Sequence, residues 1–517
     1  MGKMNGLLHL LPFVSPADLG TALADIRAAL PLLVPELYLA ALLVIVLLAD
    51  VAFGKRRPTL PLWVALAGMA LQLPLLLMQL TATHDARSTG LFFDMLRLDG
   101  FAVLFKLIVW LAATAGCLFA LNYPKLRVAK VTLGEFALML IGLLLGMQLM
   151  AQAQHLLMMY LSLELVSLCS YILTVYVRTD EKAGEAAVKF ILYGAVSSAL
   201  MLFGISLLYG LTGTLSPAAS AFIPALQSAP AAAVVVAVVL VLAGFAYKTA
   251  VVPFHFWAPD VYEGALTPVS AMLSTGTKAA GFAMLARLSF ALHDVGAWFG
   301  PTLAVVAIVT MTLGNLAALG QHNYKRLLAY SGIANAGFAL MGIAVGTQAG
   351  IAALAYLLLV YVVMKLAAFI AGSLFAERLG AEDIRSWRGG AGPLPALTLA
   401  LVVILVSLTG LPPTAGFVAK LYLFIPVWDQ YQTTGQFVWV ALLVAAVLNT
   451  VVSLFYYLRP LVFLILHKPD EALNVRPTTH VFWRNLLVGV AAVLLLVFGV
   501  YGFDALFGFV QRCVLSR

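Results

Sequence analysis

A chain of 517 residues that is 63% hydrophobic and only 10% charged cannot hide its apolar surface in a water-soluble core; soluble domains run at about 45–50% apolar and about 25% charged. The formal charge of +8 is not a nucleic-acid footprint, because the basic residues fill short gaps between apolar runs and form no cluster interleaved with aromatics. Three distant cysteines, Cys117, Cys169 and Cys513, and eight scattered histidines offer no CxxC pair, zinc spacing, iron–sulfur run or HExxH, so the chain is expected to bind no metal or redox cofactor itself.

In chain order, residues 1–30 contain Lys3 but are interrupted by Pro12, Pro16, Asp18 and Asp25. That is no signal-peptide core, and the stretch reads as an interfacial lead-in or a weak first segment. Apolar windows bounded by charges, Gly or Pro then predict about fourteen spans. They lie at 33–53, 60–82, 98–122, 133–150, 155–178, 185–212, 231–252, 266–292, 300–319, 325–345, 349–376, 395–425, 437–466 and 480–508. Such runs match the roughly 20 residues that cross a bilayer as helix, and their continuity excludes the alternation of a barrel. The expected class is an all-α polytopic membrane protein.

The loops alternate in charge. Those after odd-numbered spans carry Lys55, Arg56 and Arg57; Lys125, Arg127 and Lys130; Arg178 and Lys182; Lys325 and Arg326; Arg378, Arg385 and Arg388; and Lys468 and Arg476. Those after even-numbered spans offer chiefly Arg87 and Arg97. The positive-inside rule makes the first set cytoplasmic. An even number of spans then puts both termini outside, in the periplasm for a bacterium. No loop is long enough for a nucleotide- or flavin-binding domain, and no Gly-rich phosphate motif is present.

Two spans are interrupted. Span 7 meets Pro253 and Pro259, and span 12 meets Pro412 and Pro413 after Gly410. Proline removes a helical hydrogen bond, and backbone freed at membrane depth must line protein or a wet cavity. Two breaks in corresponding places suggest inverted five-helix repeats, spans 4–8 and 9–13; the competing reading is two ordinary kinks. The expected organisation is 1–130 (lead-in and spans 1–3), 131–293 (first repeat), 294–466 (second repeat) and 467–517 (loop and span 14).

An ionisable group inside a span costs about 2.5–3.5 kcal/mol on insertion scales and is a functional hypothesis by default. Glu164 lies roughly 13 Å into span 5 at helical rise, and Tyr160, Glu164, Ser167 and Tyr171 share one face. Lys248 precedes the span-7 break with no acid nearby in sequence, so Glu164 is its expected partner. Lys278 lies mid-span 8; Ser270 and Ser274 precede it at four-residue spacing, and Gly276, Ala279, Ala280 and Gly281 allow close approach. Lys420 follows the span-12 break. Lys189 begins a stripe with Tyr193 and Ser197, one turn inside span 6. Lys248, Lys420 and Lys189 have the alternative of snorkelling to an interface, and Glu164 that of a structural bond to a neighbouring helix. His255 sits in the span-7 break, as a structural bridge or a proton relay. Lys365, one turn after Tyr361 in span 11, is open between roles; Lys106 and Glu36 read as structural. Burial disfavours an ammonium over a neutral amine, so lysines linked by water and hydroxyls would form a proton path. A row of lysines argues against a bare-cation pore, which favours acidic rings.

The segment Pro253-Phe254-His255-Phe256-Trp257-Ala258-Pro259-Asp260-Val261-Tyr262-Glu263-Gly264-Ala265 with Pro268-Val269-Ser270 resembles the most characteristic stretch of one family. The family is the antiporter-like membrane subunits of bacterial NADH:quinone oxidoreductase (complex I) and the related Mrp-type cation/proton antiporters. Lys-Arg-Leu-Leu-Ala-Tyr-Ser at 325–331 and Leu-Thr-Gly-Leu-Pro-Pro-Thr-Ala-Gly-Phe at 408–417 match it too. The resemblance covers roughly 130–425 and is nearest the subunit N branch. It implies that Glu164 pairs with Lys248, that Lys278 is the central lysine and that Lys420 serves the exit side. Lys189 and His255 complete the expected proton-transfer set, while Lys365 is a departure. It further implies proton pumping from cytoplasm to periplasm driven by quinone reduction. NADH, FMN, iron–sulfur clusters and quinone (ubiquinone among the candidates) would be bound elsewhere in the complex. The expected partners are other membrane subunits, neighbouring antiporter-like ones included, in the bacterial inner membrane, with no nucleic acid. The alternatives are an Mrp-type Na+/H+ antiporter subunit and a proton-inert scaffold subunit of a membrane hydrogenase-like complex.

Overall fold

A computed structural model describes residues 16–85, 88–128, 133–468, 476 and 481–515. Of the loop charges named above, Arg87 and Lys130 lie outside the described residues, as do Lys3 and Pro12. Helix α1 (Pro16–Ala29) passes through a 3-10 turn at Leu30–Leu33 into α2 (Val34–Phe53). Pro31 and Pro35 stand in the opening turns, where a missing N–H costs no helical bond. From Pro16 onward the lead-in is therefore helical and continuous with the first span. Next come α3 (Leu60–Asp85), a hairpin of β1 (Thr89–Leu91) and β2 (Leu96–Leu98), α4 (Gly100–Leu121), α5 (Pro124–Val128) and α6 (Leu133–Gln152). After these follow α7 (Leu156–Thr174), α8 (Glu181–Thr212), α9 (Phe222–Ser228), α10 (Ala231–Thr249), α11 (Trp257–Gly264), α12 (Thr267–Ser274) and α13 (Gly276–Val295). The remainder is α14 (Phe299–Leu319), α15 (Tyr324–Ala344), α16 (Gln348–Leu379), α17 (Pro395–Thr409), α18 (Ala415–Thr434), α19 (Phe437–Ile465), α20 (Phe482–Val500) and α21 (Phe503–Leu515).

Among the described residues, 12 helices are long and apolar enough to cross a membrane. The pairs α12–α13 and α17–α18 supply the other two of the expected spans. The seventh span is broken between α10 and α11, and the twelfth between α17 and α18, as the prolines require.

Four details differ from the sequence reading. The chain is not wholly α: β1 and β2 pair antiparallel with Leu91 opposite Leu96, a register that buries both leucines. Span 8 is a third interrupted span. Thr275, at φ −119 and ψ −81, separates α12 from α13 without any proline to announce it. Span 12 runs on to Thr434. Span 14 stops at Val500, where Gly502 at φ 73 turns the chain into the separate α21.

Side-chain caps set several helix starts: Asp99 caps α4, Asp180 caps α8 and Asn323 caps α15. Burial identifies the axis of the molecule. The central windows of α15 and α16 are 94% and 89% buried, against 33% for α8 and 28% for α19 and α20. The rim helices point Val188, Leu192, Phe203, Leu448 and Phe455 outward, the surface that lipid rather than water would cover.

Candidate functional site

Half-buried Glu164 and four buried lysines form a row on helices that pack on one another, α10 on α13, α13 on α15, α15 on α16 and α16 on α18. It begins on α7, where Glu164 Oε1 accepts a short hydrogen bond from Ser198 of α8, whose hydroxyl also reaches Tyr160 Oη at 3.3 Å. One turn along α7, Ser167 Oγ accepts from Lys248 Nζ at 3.3 Å. The α7 stripe therefore forms as its spacing predicts, with Tyr171 Oη 3.5 Å from Tyr247 Oη at its far end. Glu164 and Lys248 do not touch: among the described residues Lys248 makes no ion pair, and Ser167 is its direct partner. The predicted pairing is thus an interaction across one helical turn, not a contact.

Lys248 is 3% exposed, and its stem packs on α13. A Cβ at Gly281 would meet Lys248 Cγ at 3.4 Å and Thr249 Cγ2 at 3.0 Å. The small residues of α13 thus bring it against α10, as their size suggests. One turn before Gly281, Lys278 (2% exposed) extends Nζ to the carbonyl of Gly332 in α15 at 3.0 Å. The serines do not join it. Ser270 Oγ donates to Tyr262 O at 2.8 Å and Ser274 Oγ to Ala271 O at 2.9 Å, and the break at Thr275 takes them out of helical register with Lys278.

Lys365, for which the sequence left the role open, stands at the centre. It is fully buried on α16 and donates to Leu328 O at 2.5 Å and, in a short bond, to Ser331 Oγ of α15. A Cβ at Gly332 would lie 3.3 Å from Lys278 Nζ, 3.3 Å from Tyr361 Oη and 3.9 Å from Lys365 Cε. Both lysines therefore converge on one glycine. Lys420 closes the line. It is 5% exposed, donates to Thr409 O at 2.8 Å and Thr450 Oγ1 at 3.1 Å, and lies 4.2 Å over the Phe338 ring. Thr409 is the last residue of α17, so its carbonyl lacks a helical partner and sits at the negative end of a half-helix. Leu328, Ser331, Gly332 and Phe338 all belong to α15, which thereby gathers three lysines from α13, α16 and α18.

Two predicted residues stand apart. Lys189 is 39% exposed and ion-paired with Glu185 at 2.7 Å and Asp260 at 2.8 Å. Arg326 joins the same group through Asp260 at 2.8 Å and Glu263 at 3.0 Å. These side chains line a cavity of about 230 Å³. Tyr193 is exposed and Ser197 bonds to a backbone carbonyl, so the stripe proposed for Lys189 does not form. Asp260, Glu263 and Arg326 were visible in the motifs, but nothing in their spacing predicted that they would meet. His255 is 4% exposed between α10 and α11, with Nδ1 unpartnered and its ring centroid 4.3 Å from that of Phe256.

Amines held by carbonyls and hydroxyls, with few carboxylates in contact, can exchange protons without leaving a fixed ion pair to break. That chemistry matches what the chain is similar to. The model of the family "NADH:quinone oxidoreductase/Mrp antiporter, TM" matches residues 153–449. An NADH-quinone oxidoreductase subunit N of Anaeromyxobacter sp. (strain Fw109-5) is 41% identical over 498 residues, covering 90% of this chain and 93% of its own. A chain of respiratory complex I from Thermus thermophilus is 31% identical, with TM-score 0.75, 92% of this chain and 98% of that one covered. A chain of the Mrp complex from Dietzia sp. DQ12-45-1b, 22% identical, shares the fold with TM-score 0.78 over 93% of this chain and 96% of that one. The chain belongs to the NADH:quinone oxidoreductase/Mrp antiporter family of membrane subunits.

Proposed function

We propose that this chain is a proton-translocating membrane subunit of a respiratory NADH:quinone oxidoreductase. In this reading it moves protons from cytoplasm to periplasm along Glu164, Lys248, Lys278, Lys365 and Lys420 while quinone is reduced elsewhere in the complex. The observation that supports the reading is a set of four buried amines, Lys248, Lys278, Lys365 and Lys420, each donating to a hydroxyl or carbonyl of a neighbouring helix: Ser167 of α7, Gly332 and Leu328 of α15, and Thr409 of α17. A charge change at one position acts on the next through low-dielectric protein, where a pair at 4 Å and an effective dielectric of 20 is worth about 4 kcal/mol. Electrons take no part in this chain's step; NADH, FMN, iron–sulfur clusters and quinone belong to other subunits.

Basic loops after odd-numbered spans set the orientation, with both termini periplasmic in the inner membrane of a bacterium. Residues 131–293 and 294–466 act as the two halves, each with one proline-broken span. Lys189, in the group with Asp260, Glu263 and Arg326, faces the basic-loop side and serves proton entry, with His255 as a relay at the span-7 break. Neighbouring antiporter-like subunits and the bilayer are the partners.

The test is Lys278→Met in the assembled complex, in closed membrane vesicles. Proton pumping and quinone reductase activity fall together, since the two are coupled; normal values of both would refute the reading. The Mrp-type alternative predicts sodium-dependent proton movement that persists without NADH.

A further inference from the structure

A second buried ionisable cluster lies away from the lysine row, between α2, α3, α4 and α6. Lys106 Nζ is 2.7 Å from Glu36 Oε1 and donates to Gln79 Oε1 at 3.0 Å. Gln152 Nε2 donates to the same Glu36 oxygen at 2.9 Å. One turn back, Gln148 Oε1 accepts from Gln72 Nε2 at 3.0 Å. Lys106, Gln72, Gln148 and Gln152 are 0% exposed and Glu36 is 4% exposed. The pair that the sequence left as two structural charges is therefore the centre of a polar network that four helices supply.

The network is not closed on itself. Glu36 Oε2 and Gln152 Oε1 are buried without a hydrogen-bond partner. Each such oxygen is destabilising if no donor reaches it, and the carboxylate oxygen and the amide oxygen are both acceptors. An ammonium carries three N–H groups, and the Glu36 and Gln79 contacts use two. One amine N–H and two acceptor oxygens of the same network are thus left over, a number within the two to four polar partners that a buried water takes.

Two cavities lie at the same end of α4. Asp99 caps α4 two turns before Lys106 and holds Arg287 of α13 at 2.7 Å. Arg97, 3.7 Å from Asp99, and Arg287 line a cavity of about 230 Å³. A second cavity, of about 430 Å³, is lined by Thr83, Gly100 and Arg512, and Thr83 bonds back to Gln79 O at 3.0 Å. The charged groups that act on the pair from the surrounding elements are Asp99 beside α4 and Arg287 from α13; Arg97 and Arg512 line the cavities.

We propose that Glu36 and Lys106 form a proton-binding site, served by a water held between Glu36 Oε2, Gln152 Oε1 and the Lys106 amine, and filled from the cavities at Arg97 and Thr83. The water gives a proton to Glu36 Oε2 and takes one from the cavity side. The carboxylate becomes a carboxylic acid, and Lys106 keeps its own proton. The cluster gains one positive charge next to Arg287, on the helix that carries Lys278. That last coupling rests on the proton-translocation reading; the site itself does not.

Infrared difference spectra of the purified complex between acidic and alkaline buffer test the site. The wild type shows a protonated-carboxyl band that survives Glu164→Gln and disappears completely in Glu36→Gln. Should Glu36→Gln fail to assemble, the paired variant Glu36→Leu/Lys106→Met substitutes apolar groups of similar volume for the whole pair and loses the same band. A wild-type spectrum left unchanged by the Glu36 variants overturns the proposal, whatever Lys278→Met does to pumping. A loss of pumping in Lys278→Met beside an unaltered Glu36 spectrum leaves the translocation reading standing alone.

Discussion

Gly332 is where two lysines on different helices reach the same turn of α15. A methyl group there would press on Lys278 Nζ and Tyr361 Oη at 3.3 Å, tighter than ordinary contact. Alanine also favours helix over glycine by about 1 kcal/mol, so Gly332→Ala separates local helix stability from function. The expected result is an assembled complex with several-fold lower proton pumping, read as the proton-to-electron ratio in vesicles. Ser167 gives a second residue-scale test. Its hydroxyl is the direct partner of Lys248, and a hydrogen bond to a charged group is worth about 1.5–3 kcal/mol. Ser167→Ala therefore depresses turnover, whereas Ser167→Thr retains the oxygen and keeps activity closer to wild type. Lys365 was legible as a buried lysine one turn beyond Tyr361. Its central place was not, because that depends on Leu328 and Ser331 facing it from a different helix.

At the scale of elements, α13 carries Lys278 near its start and is tied down near its end. Arg287 forms two bonds to Asp99, at 2.9 and 2.7 Å, and one to Ala151 O at 2.8 Å. Asp99 at the same time caps α4 through Ala102 N at 2.7 Å. One buried pair thus fixes α13 against α4 and α6, while the break at Thr275 leaves the N-terminal end of α13 free of a continuous helix. Removing one partner of a buried pair strands the other charge, at a cost of about 3–5 kcal/mol. Arg287→Met is expected to lower the thermal stability of the subunit strongly. Lys189→Met, at a half-exposed pair of the kind worth about 0–1 kcal/mol, should barely change it. Thermal unfolding of the two variants in the same detergent decides; equal losses would refute the latch. The break at Thr275 was not legible in sequence, because no proline marks it and the adjacent Gly276 reads equally well as a small residue for close helix packing; the neighbouring breaks were, because prolines made them.

For the whole molecule, the strongest consequence of the sequence is which side each loop faces. Lys55→Cys and Gly213→Cys, at the ends of α2 and α8, should react with a membrane-impermeant maleimide from opposite sides. Lys55→Cys is labelled in inside-out vesicles and Gly213→Cys in right-side-out vesicles. Labelling of both from one side would overturn the orientation. The arrangement of helices supports the same economy: the most buried, α15 and α16, hold the polar groups of the row, and the most apolar rims face outward. A span whose window is nine-tenths buried needs no lipid-facing stripe, so its glycines, serines and asparagine are free to serve the interior.

Composition, span length, loop charge and proline placement are properties of local segments, and bilayer thickness and backbone bonding act on each segment separately. The membrane class, the approximate span positions and two of the breaks were therefore decided by the sequence alone. Which amine meets which carbonyl depends on helices far apart in the chain approaching each other. Only the tertiary structure could put Ser167 rather than Glu164 on Lys248, bring Lys365 into the row, draw Lys189 off to Asp260, and join Glu36 to Lys106.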